Sequence, residues 1–156
     1  MPNMCQLTPM PASQTEMVLR RVVMPNMLNP NGTMFGGALL SIYDEFSGIV
    51  GLGLVKGKIM TVSIENVTFS RPICAGETVV IRGRITYTGR SSFVVQLDTE
   101  TERNGVSLGH AGSAVFNYVA IGDDGRPTMI PQLILETDED RQLWEEAEAR
   151  RKTRRK

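Results

Sequence analysis

Hydrophobic residues recur through residues 36–55 at the spacing of one helical face, with Leu39, Leu40, Tyr43, Phe46, Ser47 and Val50 forming a broad stripe. Gly48, Gly51 and Gly53 interrupt the same segment. Each glycine lowers intrinsic helicity by about 1 kcal/mol relative to alanine, so this helix needs tertiary packing, as a helix enclosed by a sheet would have. A β-branched run at 17–24 predicts a first strand before it, and Asn29-Pro30-Asn31-Gly32 supplies turn chemistry between the two.

Four strand-like segments follow the helix, at 59–70, 77–88, 91–103 and 106–121, with no helical pattern between them. In the first, the apolar parity runs Val62, Ile64 and then slips to Val67, Phe69, which predicts a β-bulge. In the second, Val79, Ile81, Gly83, Ile85 and Tyr87 alternate with more polar positions, and in the third Phe93, Val95 and Leu97 alternate with Gln96, Asp98 and Glu100. Thr88-Gly89-Arg90-Ser91 and Arg103-Asn104-Gly105-Val106 are short enough for hairpins, the second carrying the Asn-Gly pair of a type I′ turn. The expected architecture is α+β, an antiparallel sheet around one long helix. Residues 1–15 read as an irregular tail or docking arm, 16–135 as the folded domain, and 136–156 as a charged helix opened by a Thr137-Asp138-Glu139-Asp140 capping box. Its basic end, Arg150 to Lys156, is either a solvated, dipole-matched helix end or a cationic arm over substrate phosphates or a neighbouring subunit.

Composition narrows the function classes. At 156 residues, with 41% hydrophobic and 22% charged, the chain suits one soluble domain. Basic and acidic residues balance at 17 each, so no bulk field recruits nucleic acid or an anionic membrane. The start of the chain lacks the charge and apolar pattern of a secretory leader, and no apolar run reaches spanning length; a cytoplasmic protein is expected. Cys5 and Cys74 form neither a disulfide framework nor a zinc pattern, and no metal site is expected. His110, the only histidine, sits in a strand register with Gly112, Ala114, Phe116 and Tyr118 and reads as structural.

Candidate chemistry gathers at the start of the central helix. The first amides of a helix have no intrahelical acceptors, so an oxyanion at Gly36 or Gly37 would be stabilised there. Asp44 lies seven residues beyond Gly37, on the same face about 10 Å along the axis, whereas Glu45 points about 100° away. That is too far for Gly37 and Asp44 of one chain to act on one carbon. Either the carboxylate serves a second copy across an interface, or the motif is a tightly packed helix start.

The chain carries N-G-x-x-F-G-G-x-x-L-x-x-x-D-E from Asn31, then Val67-Thr68-Phe69-Ser70-Arg71-Pro72, Ala75-Gly76-Glu77, Thr88-Gly89-Arg90-Ser91-Ser92 and Tyr118-Val119-Ala120. In order and spacing these motifs resemble the hot-dog-fold acyl-CoA thioesterases, in particular the bacterial YciA-like acyl-CoA hydrolases. The resemblance implies a five-stranded antiparallel sheet wrapped around a long central helix. It also implies hydrolysis of acyl-CoA at a dimer interface, and a hexamer (trimer of dimers) or tetramer built from such dimers. Asp44 falls where the family has its acidic catalyst, as general base or nucleophile, and Gly37 where an amide polarises the carbonyl. Asn31, as a side chain that could orient water or the carbonyl, joins them as a catalytic candidate, with turn chemistry as its other role. Thr33, Phe35, Gly36, Lys58, Arg90, Ser91 and Ser92 are the substrate-binding candidates. Many relatives have histidine at the position of Phe35, and some have Asp or Asn at that of Thr33. No cofactor is implied, because CoA is part of the substrate, and neither nucleic acid nor membrane is an expected partner. The competing readings are a non-catalytic acyl-CoA-binding module and a hot-dog dehydratase.

Overall fold

A computed structural model describes residues 7–155; Cys5 and the first part of the expected tail lie outside these described residues. The elements run β1 (Met10–Pro11), a 3₁₀ turn (Ala12–Thr15), β2 (Met17–Val22), a second 3₁₀ turn (Pro25–Met27), and α1 (Gly36–Leu54). Then follow β3 (Lys58–Phe69), β4 (Thr78–Thr88), β5 (Ser92–Arg103), β6 (Val106–Ile121), β7 (Leu133–Ile134) and α2 (Asp138–Arg154). The five long strands form one sheet in the order β2-β4-β5-β6-β3, every pair antiparallel. Its inner face wraps α1, and the core joins Leu39, Tyr43, Phe46 and Val50 of the helix to Ile81, Leu97 and Phe116 of the sheet. This is the hot-dog architecture that the hydrophobic pattern and the resemblance predict.

The phase slip in β3 is a bulge. Glu65 pairs with Val115 and Thr68 with Ser113, leaving one extra residue in β3, where Asn66 takes a left-handed φ of 50°. The Asn-Gly hairpin also forms, with Asn104 at φ 52°. Just past this bulge, Gly112 of β6 is pressed so closely against β3 that a Cβ at Gly112 would lie 2.7 Å from the carbonyl oxygen of Thr68 and 3.1 Å from the Tyr43 hydroxyl.

Two expectations change. Tyr87 does not continue the inward parity of β4, because the register shifts between Ile85 and Tyr87 and turns the ring to the outer face with Val94, Val115 and Ala147. Residues from Met10 onward are also not irregular: β1 pairs in parallel with β7, and the Thr15 hydroxyl accepts a hydrogen bond from the Ile85 amide at 3.0 Å. That contact satisfies a strand amide beyond the end of β2.

The outward Tyr87 explains where the charged helix goes. Trp144 packs on its ring at 4.5 Å, Arg151 lies 4.8 Å over it, and Arg154 reaches Ser63 and Glu65 on β3, each at 2.8 Å. The basic end of α2 is thus tied to the outer face of the sheet through Arg151 and Arg154. At its start the capping box forms as expected, Thr137 accepting from the Asp140 amide while Asp140 accepts from that of Thr137. Asp140 is only 4% exposed and pairs with Arg84 at 2.6 Å. Burial works to raise its pKa, but the Arg84 guanidinium and the amides of Glu136 and Thr137 outweigh it and bring the carboxyl to about 2, from 3.8. A pKa lowered by folding adds stability that is fully present above the unfolded value and lost as pH falls toward the folded one. Asp140→Asn is therefore expected to cost about 2 kcal/mol at pH 7. Urea titrations at pH 7 and pH 2.5 check this, the gap between variant and wild type shrinking at the lower pH.

Candidate functional site

The loop before α1 is built on Asn29. Its side-chain oxygen accepts from the amides of Asn31 at 2.9 Å and Thr33 at 3.2 Å, and its amide group donates to the Thr33 hydroxyl at 2.9 Å. Asn31 contributes its backbone to this turn while its side chain is exposed. Thr33 bridges to Cys74, and the Phe35 amide donates to the Met27 carbonyl at 2.7 Å. The loop so fixed delivers Phe35 as the N-cap of α1 without a side-chain cap.

The consequence is an open pair of donors. The amides of Ala38 and Leu39 both donate to the Phe35 carbonyl, at 2.9 and 3.3 Å. Those of Gly36 and Gly37 have no acceptor among the described residues. They lie at the positive end of a 19-residue helix, where an anionic oxygen is favoured. The Phe35 ring, 57% exposed, rests against Gly37, where a Cβ would lie 2.5 Å from its edge. Beside Gly36 opens a cleft of about 400 Å³, lined chiefly by Met34, Gly36, Leu39, Phe69 and Ile73, so apolar groups border the donors.

Asp44 projects from the solvent side of α1, two turns on, and is exposed. Its carboxylate makes no ion pair or hydrogen bond among the described residues. Beneath it the Ser47 hydroxyl donates to the Asp44 carbonyl at 3.1 Å and meets the Tyr118 hydroxyl at 2.6 Å. Tyr118 is raised above its ordinary pKa, first by burial and further by the negative charge of Asp44. Glu45 is exposed as well, on the neighbouring line of the helix. Of the residues around Asp44, sequence reasoning missed Tyr118. Its alternation marked it as inward-facing, but no local pattern says where a phenol oxygen ends.

The remaining candidates gather at the far end of α1. Lys58 opens β3 opposite Ile121 and lines a second cleft of about 710 Å³ with Val55 and Asp123. The carbonyl of Arg90 accepts from Ile130 at 3.1 Å and that of Ser91 from Ala120 at 2.8 Å, while Ser92 pairs with Val119. A helix of this length separates its ends by about 27 Å. Within one chain Gly36, Gly37, Thr33 and Phe35 therefore stand apart from Lys58, Arg90, Ser91 and Ser92, with Asp44 between them. His110 is exposed on β6 opposite Glu100 of β5. Among the described residues no cluster of three or more His, Cys, Asp or Glu could hold a metal, and no helix is long and apolar enough to cross a membrane.

A sequence profile described as the Thioesterase superfamily matches residues 31–107. The acyl-CoA thioester hydrolase YciA of Salmonella typhimurium is 34% identical over 122 residues, which cover 76% of this chain and 92% of that protein. The cytosolic acyl coenzyme A thioester hydrolase of Rattus norvegicus is 30% identical over 91% of this chain, yet the chain spans only 38% of its length. Among solved structures, an apo-hexameric acyl-CoA thioesterase superposes with a TM-score of 0.88 at 27% identity, covering 95% of this chain and 96% of that one.

Proposed function

Since the chain belongs to the thioesterase superfamily, alongside the YciA-like acyl-CoA thioester hydrolases, we propose that it hydrolyses acyl-CoA to a free carboxylic acid and CoA. The observation that carries this reading is the pair of unclaimed amides at Gly36 and Gly37, set beside an apolar cleft and in line with an unpaired carboxylate at Asp44. The amides polarise the thioester carbonyl, and the acyl chain enters the cleft. Asp44 either takes a proton from attacking water or attacks the carbon itself to form an anhydride that water opens. In both routes the C–S bond breaks and the thiolate leaves with the electron pair, to be protonated from solvent. CoA is part of the substrate, so this reaction calls for no separate cofactor.

Two copies of the chain are needed to bring the groups together. The longer of the two free edges of the sheet is β3, with Met60, Val62, Ile64 and Phe69 exposed along it. Pairing β3 with its own copy about a two-fold axis sets the two helices in opposite directions, which brings Gly37 of one subunit toward Asp44 of the partner subunit. The same operation carries Lys58, Arg90, Ser91 and Ser92 of the partner subunit toward the helix start, where they contact the nucleotide half of CoA. A trimer of such dimers is the assembly we propose, supported by the hexameric state of the structural neighbour.

The test is a panel of acyl-CoAs with detection of the released thiol, followed by subunit mixing. Asp44→Asn and Gly37→Pro chains are each expected to be inactive, the proline removing one amide donor in the first helical turn and pushing the exposed Phe35 ring aside. Randomly mixed, they recover about a quarter of wild-type turnover, since half of the dimers are mixed and each has one intact site. Demonstrated subunit exchange with no recovery would place the whole site in one subunit.

A further inference from the structure

The Tyr118 hydroxyl lies under the helix turn that carries Asp44, and the reaction drawn above gives it no task. Its ring is fixed in place, stacked on Phe93 at 5.1 Å and near Phe116 at 6.3 Å. Its oxygen comes up between helix and sheet close to Gly48, one turn beyond Asp44, 3.9 Å from where a Cβ would stand. The Ser47 hydroxyl donates to the Asp44 carbonyl at 3.1 Å and shares a 2.6 Å hydrogen bond with the Tyr118 hydroxyl. Thr61 of β3 stands opposite Tyr118 in the sheet. The two hydroxyls form a buried link from β6 through Ser47 to the Asp44 backbone.

We infer that Tyr118 is a positioning residue for the proposed thioester hydrolysis, fixing through Ser47 the helix turn that aims Asp44. Serine bonding back to a carbonyl of the preceding turn acts on the geometry of that turn, and the buried phenol behind Ser47 holds the turn in a single arrangement. Ser47 is fully buried and Tyr118 is 3% exposed, whereas the Asp44 side chain has no partner of its own. The direction of the carboxylate is therefore set from below, by the backbone of its own turn. Burial, and after it the charge of Asp44, raises the phenol pKa, so Tyr118 stays protonated at neutral pH.

The inference rests on the acyl-CoA reading and is tested separately from it. In Tyr118→Phe, kcat for a good acyl-CoA is expected to fall about tenfold with KM within about twofold, the signature of a group that matters to the transition state alone. Ser47→Ala should fall alike. The double variant should be no slower than the slower single one, because both act through one link. If kcat stays at the wild-type value in Tyr118→Phe, if KM rises in step with the loss, or if the two substitutions multiply, the positioning role is overturned. A lowered unfolding midpoint with kcat intact also overturns it, showing a hydroxyl that serves packing alone. Wild-type protein inactive on every acyl-CoA would instead remove the reading on which the inference rests.

Discussion

Asp44→Asn is expected to slow acyl-CoA hydrolysis by roughly 10²- to 10⁴-fold, the range that a positioned general base contributes, with assembly and unfolding midpoint unchanged. The substitution keeps the size of the side chain and removes only its charge and basicity. Nothing in the fold depends on that charge: the residue is exposed, and its carboxylate makes neither ion pair nor hydrogen bond among the described residues. A structural carboxylate behaves differently, as the buried Asp140 paired with Arg84 shows. Steady-state kinetics with free-thiol detection, run beside Glu45→Gln as a control of equal charge change, checks the assignment. Glu45→Gln is expected to stay within a few-fold of wild type, and a larger effect there than at Asp44 would exchange the roles of the two helix lines.

Gly112→Val is expected to lower stability by about 3 kcal/mol, at the upper end of what overpacking costs. The obstacle is backbone. A Cβ at Gly112 would sit 2.7 Å from the Thr68 carbonyl oxygen, with the Tyr43 hydroxyl at 3.1 Å on its other side. Tyr43 is fully buried and bonded to the Thr99 hydroxyl, so it has nowhere to retreat. Relief comes from β3 moving off β6 near Phe69, the residue that borders the cleft beside Gly36. Chemical denaturation gives the stability loss. A difference of less than about 1 kcal/mol would mean that this end of β3 yields freely.

Much of the fold is legible because side-chain period and turn chemistry act locally. The slip from Val62 and Ile64 to Val67 and Phe69 marks the bulge at Asn66, and Asn104-Gly105 marks the hairpin. Tyr87 was misread because the extra residue, Thr86, is buried although polar, and both faces at the bulge carry apolar cover, so polarity does not reveal the change of parity. Pairing of Met10–Pro11 with Leu133–Ile134 is too short to carry a period and joins segments far apart in the chain. At the candidate site, the Gly36-Gly37 helix start and the place of Asp44 on its face could be read from spacing, while the role given to Asp44 came from the family resemblance. Asn29 could not be told from Asn31, since both belong to one Asn-Pro-Asn-Gly turn and only the folded loop shows which amide group is the hub. The Tyr118 and Ser47 pair joins β6 to α1 and has no local signature.

The two edges of the sheet are unlike, and that difference governs what the protein can polymerise into. β2 is a six-residue edge strand bearing Arg20 and Arg21, and past its end the Thr15 hydroxyl occupies the next amide of β4. Short length and positive charge make that edge a poor template for another strand. β3 offers twelve residues with apolar side chains on show. Growth by strand addition thus has one productive edge, and joining two copies there consumes it in both. The ribbon stops at two sheets, so the surface that would make a single subunit sticky is also the one that ends the reaction.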